Sequence, residues 1–431
     1  MRVKTAVKTS AGSAKIWETA VWIFMGVFLA LWFYVNYSTI YGLDFTSNLL
    51  QAKDLAAGGR LFQNSRAGFN LTNLLIYAPL FKLSGNFALV RAVGRLLTQI
   101  LLLLSCVFFT KQLGVKKPWR LLTACFLLLP VGADNYIFLM NNGLIYALML
   151  ALFGFFLRLP LSQNRAAQNI FFITLAFLSG VCSFQLYFLY SPQEMLARAG
   201  GFLLKLWQFL GFYPDVKVFS LRGIFSLASI IFGLSLFKLW RNNKEQPDAR
   251  AAILPDFLAK AFLFTLAVAV LTYQPCGGGQ YAYFALFIFI APFIAWHFDQ
   301  HGLQKPLSVF LLIYLLAGGL YAFGSYYKFA RENTKVHAPL AAFLTAGEYR
   351  FGYYASCCRR GEALQELTDG RTRLAPLNLT HFDANSNWEP QWGTFVLVCN
   401  YCVDKHRTHP YLQNSPQLYS DADYTLFTLQ K

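Results

Sequence analysis

Few residues in the apolar part of this 431-residue chain are equipped for chemistry, and two of its acids stand at the ends of apolar runs. Asp44 follows the first run, in Tyr41-Gly42-Leu43-Asp44-Phe45, and Asp134 opens a later loop beside Asn135. Two carboxylates at adjacent span ends can converge on one site, as general base and as ligand for a divalent cation (Mg or Mn). The alternative for Asp44 is a loop carboxylate that caps a helix beginning at Thr46. Asp54 lies in Ala52-Lys53-Asp54-Leu55, next to the helix-ending Gly58-Gly59-Arg60, and is equally readable as a helix-surface charge. Lys53, Arg60, Arg66, Arg198, Lys205 and Arg222 offer positive charge for a phosphate. A Gly-rich nucleotide loop, a Ser-His-Asp order and an HExxH are all missing, so ATP-driven and metalloprotease chemistry have no support.

The eight cysteines divide by environment. Cys106, Cys125 and Cys182 fall in apolar runs, where buried Cys acts as a small hydrophobe. Cys357, Cys358, Cys399 and Cys402 lie near the C-terminus, and Cys276 in a short loop. A zinc site normally takes two C-x₂₋₄-C knuckles, and adjacent cysteines make poor joint ligands. Disulfides linking 357/358 to 399/402 in an oxidising compartment are the preferred reading.

The elements that must position these residues are dictated by composition. Hydrophobic residues make up 56% and charged residues 13%. A soluble globular chain carries about 25% charged residues, so this chain is built for a lipid solvent. The net charge of +17 is confined to the first 330 residues, because residues 331–431 hold ten basic and ten acidic groups. The basic residues gather in short loops: 111–120, 158–165, 241–260 and 297–305. That is the positive-inside pattern, and it argues against a nucleic-acid-binding surface.

The first apolar run, about 17–37, follows a basic start and is about 20 residues long, too long for a cleaved signal core of about 7–15. Further runs lie near 88–109, 121–133, 144–159, 170–190, 224–240, 261–275, 281–298 and 308–327. Together they predict an α-helical polytopic membrane protein of about nine spans, N-terminus cytoplasmic and C-terminus exoplasmic. Residues 1–327 form the transmembrane domain, with amphipathic exoplasmic loops at 38–87 and 191–223 that read as helices in the interface. Residues 328–431 read as a small mixed α/β exoplasmic unit. Its strand alternation appears at 393–398 and 424–429, and its turn signals at Asp369-Gly370 and His409-Pro410.

This arrangement resembles the GT-C class of integral-membrane glycosyltransferases, which take a sugar from a polyprenyl phosphate. The first matching stretch is Gly42-Leu43-Asp44-Phe45-Thr46-Ser47-Asn48-Leu49-Leu50-Gln51-Ala52-Lys53-Asp54-Leu55, after the first span. The second is similar to a bacterial subgroup with a short soluble C-terminal tail: Gly352-Tyr353-Tyr354, Leu367-Thr368-Asp369-Gly370-Arg371, Asn387-Trp388 and Phe395-Val396-Leu397-Val398. The layout covers the whole chain and the specific motifs only a small part of it. Two departures stand out: Gly279-Gln280-Tyr281 occupies the place of an Arg-Tyr, and the second exoplasmic loop lacks an Asp-x-Asp.

The resemblance implies inverting transfer of a sugar to an envelope glycan, lipid or protein on the outer face of the bacterial cytoplasmic membrane. It makes Asp44 the base with Asp134 as helper, and gives the phosphate to Arg60, Arg66 or Arg198. Two readings compete. A secondary transporter predicts inverted repeats and ionisable residues in mid-span, for which Arg91 and Arg95 are the best candidates. A scaffold of an envelope-assembly complex is the other.

Overall fold

The computed structural model describes residues 11–40, 43–59, 72–130, 133–158, 217–243, 306–354, 361–376, 394–400 and 414–428, with short helical pieces within 166–170 and 294–299. Apolar runs produce most of the elements. Helix α1 is Ala11–Ser38, and α2 is Leu43–Ala56. A π-helical turn, Asn73–Tyr77, runs into α3, Ala78–Leu83. Then come α4 (Phe87–Gln112), α5 (Lys117–Leu128), α6 (Ala133–Arg158), α7 (Leu221–Asn243) and α8 (Pro306–Ala346). The C-terminal part adds β1 (Phe351–Tyr354), α9 (Gly361–Leu367), β2 (Arg373–Pro376), β3 (Phe395–Cys399), β4 (Gln417–Ser420) and β5 (Tyr424–Thr428).

Among the described residues, three helical segments are long and apolar enough to cross a membrane: Ile16–Ser38, Phe87–Gln112 and Pro306–Ala346. Their large apolar side chains remain exposed, among them Ile16, Trp17, Ile23 and Val27 of α1 and Ile313 of α8. Water would not tolerate such continuous apolar faces, whereas lipid does. The predicted runs at 261–275 and 281–293, most of 170–190, and the whole 191–216 stretch lie outside the described residues.

Two compact units form. The first takes Met1–Trp32 with Leu96–Ser325, and the second takes Phe33–Arg95 with Tyr326–Lys431. In the first, aromatic packing joins α1, α6 and α8: Trp32 meets Tyr136 at 5.5 Å between ring centroids, and Phe28 meets Phe323 at 5.1 Å. The Tyr136 hydroxyl donates to the Gly319 carbonyl at 3.3 Å. A Cβ on Gly319 would stand 2.4 Å from the Leu129 carbonyl oxygen, so this close approach requires glycine. Ser229 on α7 and Tyr314 on α8 share a hydrogen bond of 2.7 Å.

The second unit is built on a five-stranded sheet in the order β2-β1-β3-β5-β4. Strand β1 pairs parallel to both β2 and β3, while β3 and β4 each pair antiparallel to β5. Strand β3 is central and buried along its whole length, which explains its unbroken apolar sequence. The strands predicted at 393–398 and 424–429 are thus β3 and β5, but the one-sided alternation expected of them is absent, because both are buried on both faces along almost their whole length. At the predicted Asp369-Gly370 turn both residues have positive φ, 51° and 69°. His409-Pro410 lies outside the described residues.

One boundary differs from expectation. The apolar run ends at Tyr327, but α8 continues to Ala346 as a single 41-residue helix. At about 1.5 Å per residue its length is roughly 60 Å, twice the ~30 Å hydrocarbon thickness. Its later turns present a different stripe: Leu340, Ala341 and Leu344 join Leu364, Leu374, β3 and β5 in the core of the second unit. The composition changes at Tyr327 because the helix exchanges a lipid-facing surface for a sheet-facing one.

Two outcomes follow from this packing. Gly352 pairs with Phe395 across β1 and β3, and a Cβ there would stand 2.3 Å from the Phe395 ring. Gly352→Ala should lower the stability of the detergent-solubilised protein by about 1–3 kcal/mol, the usual range for overpacking, measured by chemical unfolding. Cys399 is disulfide-bonded, with its partner cysteine outside the described residues, whereas Cys106 and Cys125 are free thiols. Under denaturing conditions alkylation should mark Cys106 and Cys125 at once and Cys399 only after reduction, as read by peptide mass spectrometry.

Candidate functional site

The most concentrated chemistry among the described residues lies in the second unit, and it starts from two arginines. Arg91 and Arg95 are one helical turn apart in the apolar α4 and therefore share a face. They are 3% and 1% exposed. A buried guanidinium is costly unless its donors are met, and here the partners come from three other segments.

Arg91 serves two sets of acceptors. Its Nε donates to the Asn36 carbonyl at 2.5 Å and its Nη2 to the Tyr37 carbonyl at 3.2 Å. These carbonyls belong to the last turn of α1, where a helix leaves oxygens without intrahelical partners and favours a cation. Nη1 forms an ion pair with the Glu366 carboxylate of α9, itself 3% exposed. Arg95 donates through Nη1 to Asn36 Oδ1, which also accepts from the Tyr326 hydroxyl at 3.0 Å. The Tyr77 hydroxyl faces Arg95 as well. Its ring lies where a Cβ on Gly94 would be, 2.2 Å from the nearest ring atom.

A second group of contacts surrounds the turn after α9. Asp369 Oδ1 accepts the Phe87 N–H at 3.3 Å, and Asn86 Oδ1 accepts the Leu89 N–H at 2.8 Å. Two side chains thus cap the first turn of α4. Lys53 Nζ of α2 donates to the Asp369 carbonyl at 3.0 Å and stands 4.7 Å from the centroid of the Phe87 ring. Partial burial lowers the Lys53 ammonium pKa from its ordinary value, and Arg373 pushes the same way against Asp369 and Asp54. Gly370 suits its positive φ of 69°, and a Cβ there would stand 2.8 Å from Lys53 Nζ, so the lysine would have to shift its end.

Helix α2 spends its apolar face on these neighbours. Leu49 and Ala52 are fully buried, and Gln51 accepts from Asn73 Nδ2 of the π-helical turn at 3.1 Å. The apolar spacing predicted for residues 38–87 is thus used in protein packing at Leu49, while Leu75 remains 55% exposed.

The predicted site residues are distributed as follows. Asp44 is the second residue of α2. Asp134 is the second residue of α6 and does not open a loop as expected, because the chain from Ala133 to Arg158 is one helix. Both side chains lie outside the described residues. Asp44 belongs to the second unit and Asp134 to the first. Arg60, Arg66 and Arg198 lie outside the described residues, as do Cys357, Cys358 and Cys402. Among the described residues no group of three or more His, Cys, Asp or Glu is placed to hold a metal ion.

The sequence reading passed over Asn36, Tyr77, Tyr326, Glu366 and the cap supplied by Asp369. One signal was available. Two arginines four apart in an apolar run need an acid and several acceptors, but spacing alone does not say which of the distant acids answers.

No protein-family model matches the chain, and no curated protein matches it.

The ion pair has a measurable consequence. Removing one partner of a buried pair leaves an uncompensated charge, at a cost of about 3–5 kcal/mol. Glu366→Leu and Arg91→Met should each lower unfolding stability by that order, and the double variant should lose clearly less than the sum of the two. Additive losses would show that the pair is not coupled.

Proposed function

We propose that this protein is a membrane glycosyltransferase that moves a sugar from a polyprenyl-phosphate donor to an envelope acceptor on the exoplasmic face. The observation that carries the reading is the placement of Asp44. Helix α1 is long and apolar enough to cross a membrane, and α2 begins at Leu43 with Asp44 in its opening turn. An acid that follows a membrane-crossing helix directly in the chain suits a reaction between a lipid-borne donor and a water-borne acceptor. The layout resemblance to the GT-C class supports the same assignment.

The step needs little from the protein. An acceptor hydroxyl oxygen attacks the anomeric carbon from the face opposite the phosphate, and a new C–O bond forms with inversion. The bond from that carbon to the phosphate oxygen breaks, and its electron pair leaves with polyprenyl phosphate, a good leaving group that requires no proton. The hydroxyl proton passes to the Asp44 carboxylate. Arg60 or Arg66, which follow Asp44 in the same part of the chain, offsets the charge developing on the departing phosphate. In this reading Mg or Mn is a candidate cofactor. The N-terminus is cytoplasmic and the C-terminus exoplasmic across about nine spans. Arg91 and Arg95, which a transporter would use, are engaged by Glu366, Asn36 and backbone carbonyls, which favours a holding role for them.

The test is turnover. Purified protein in liposomes, supplied with a panel of radiolabelled polyprenyl-phosphate sugars and envelope acceptors, should release polyprenyl phosphate. Asp44→Asn should reduce that release by at least about 10²-fold, the lower bound for losing a general base, with expression and topology intact. Full activity in Asp44→Asn would remove Asp44 from the mechanism. Absence of turnover by the wild type across the panel would favour the scaffold.

A further inference from the structure

The end of α1 is closed by residues from elsewhere in the chain. In a continuing helix the Ile40 N–H would bond to the Asn36 carbonyl. Arg91 occupies that carbonyl, and the Ile40 N–H instead donates to Thr334 Oγ1 of α8 at 2.7 Å. The Thr334 hydroxyl proton goes to the Ala330 carbonyl at 2.7 Å, so a lone pair is what Thr334 presents to Ile40. The Ile40 carbonyl accepts from Asn333 Nδ2 at 3.3 Å. Two adjacent side chains of α8 therefore hold both backbone polar groups of one residue, which is itself 2% exposed.

The clamp is anchored in turn. His337, one turn further along α8, has Nδ1 2.5 Å from the Asn333 carbonyl and Nε2 2.9 Å from the Tyr424 hydroxyl on β5. A carbonyl only accepts, so Nδ1 carries the proton and Nε2 accepts from Tyr424. The turn of α8 that grips Ile40 is thereby fixed to the sheet.

Ile40 stands three residues before the first residue of α2 and four before Asp44. Consecutive Cα atoms are about 3.8 Å apart, so the Cα of Leu43 lies within roughly 11 Å of the Ile40 Cα whatever path the chain takes. At its other end α2 is held by the Lys53 contact to Asp369. Helix α2 is thus tethered on one side through Ile40 and on the other through Lys53.

We propose that Asn333 and Thr334 are positioning residues, which set the placement of Asp44 by holding the backbone of Ile40. The inference rests on Asp44 being the base, and it adds what keeps that base in place. Neither residue touches the reacting atoms. A small displacement of a catalytic group costs up to about 10²-fold in rate, so the effect belongs in kcat and not in donor binding.

The experiment uses the full-length protein in liposomes. Thr334→Val removes the acceptor at nearly constant shape, and Thr334→Ser retains it. Thr334→Val should lower kcat by roughly 10- to 100-fold with the KM for the donor unmoved, and Thr334→Ser should recover most of the loss. An equal kcat in all three proteins would overturn the proposal, as would a loss that Thr334→Ser shares in full. A second readout is independent of turnover. In an Asp44→Cys background, the rate at which a maleimide labels the introduced thiol, followed by peptide mass spectrometry, should change severalfold with Thr334→Val and not with Thr334→Ser. Unchanged labelling would overturn the clamp even if the enzyme is active. If Asp44→Asn is fully active, the glycosyltransferase assignment of Asp44 fails, while the labelling still decides whether Asn333 and Thr334 place it.

Discussion

The second unit depends on one buried ion pair, Arg91 with Glu366. Neither residue could occupy its position alone, because each is almost wholly removed from water and an unpaired charge there would cost several kcal/mol. The pair therefore makes two distant parts of the chain mutually conditional. Arg91 comes from an apolar helix, and Glu366 from a seven-residue helix between two strands. Until α9 has formed between β1 and β2, Arg91 lacks its carboxylate; until α4 is in place, Glu366 lacks its cation. The same guanidinium also closes the end of α1 through the Asn36 and Tyr37 carbonyls. One side chain thus sets three elements, and Asn36 extends the arrangement to Arg95 and Tyr326 through a single amide oxygen.

The turn that follows Glu366 carries the rest of the assembly. Within five residues, Glu366 to Gly370, the chain supplies the carboxylate for Arg91, a cap for the first turn of α4, a carbonyl for Lys53 and the left-handed Gly370. Its own conformation is secured locally. Thr368 Oγ1 donates to the Leu364 carbonyl at 2.9 Å, and the Gly370 N–H to the Gln365 carbonyl at 2.7 Å. A side chain larger than hydrogen at 370 would meet the Lys53 ammonium and the Phe87 ring. The close fit of α2 on this turn thus follows from one glycine, which serves both a dihedral need and a spatial one.

Elements whose signal is local were legible in the sequence, and those set by distant partners were not. The apolar runs at 17–37 and 88–109 became α1 and α4, because a long apolar stretch has few alternatives to a helix in lipid. The positions of strands β3 and β5 were visible in the sequence, though not as the alternation expected of them, and Asp369-Gly370 was visible as turn chemistry. The extension of α8 past Tyr327 was hidden, because its apolar stripe there is sparse and acquires meaning only against the sheet. Of the polar cluster in the second unit, only Arg91 and Arg95 stood out in the sequence, as cations in an apolar run. Asp44 and Asp134 were located by their place at the ends of runs, and both open helices, α2 and α6. The polar cluster of Asn36, Tyr77, Tyr326 and Glu366 was not legible, since none of these residues has a local pattern that marks it.

The cluster also changes what the excess positive charge means. Read as a sum, +17 divides into cations that orient the chain in a membrane and cations available to an anionic lipid. Arg91 and Arg95 belong to neither group. Both are buried and committed to protein acceptors, so they contribute to the total but present nothing to solvent. Glu366 is likewise withdrawn from the ten acids of residues 331–431, which leaves that segment with ten basic groups against nine acids that remain uncommitted to Arg91. The apparent neutrality of the C-terminal part thus conceals one acid spent internally on a cation of the membrane helix. Charge counted along a membrane chain therefore reports topology only after the charges that hold the fold together have been set aside.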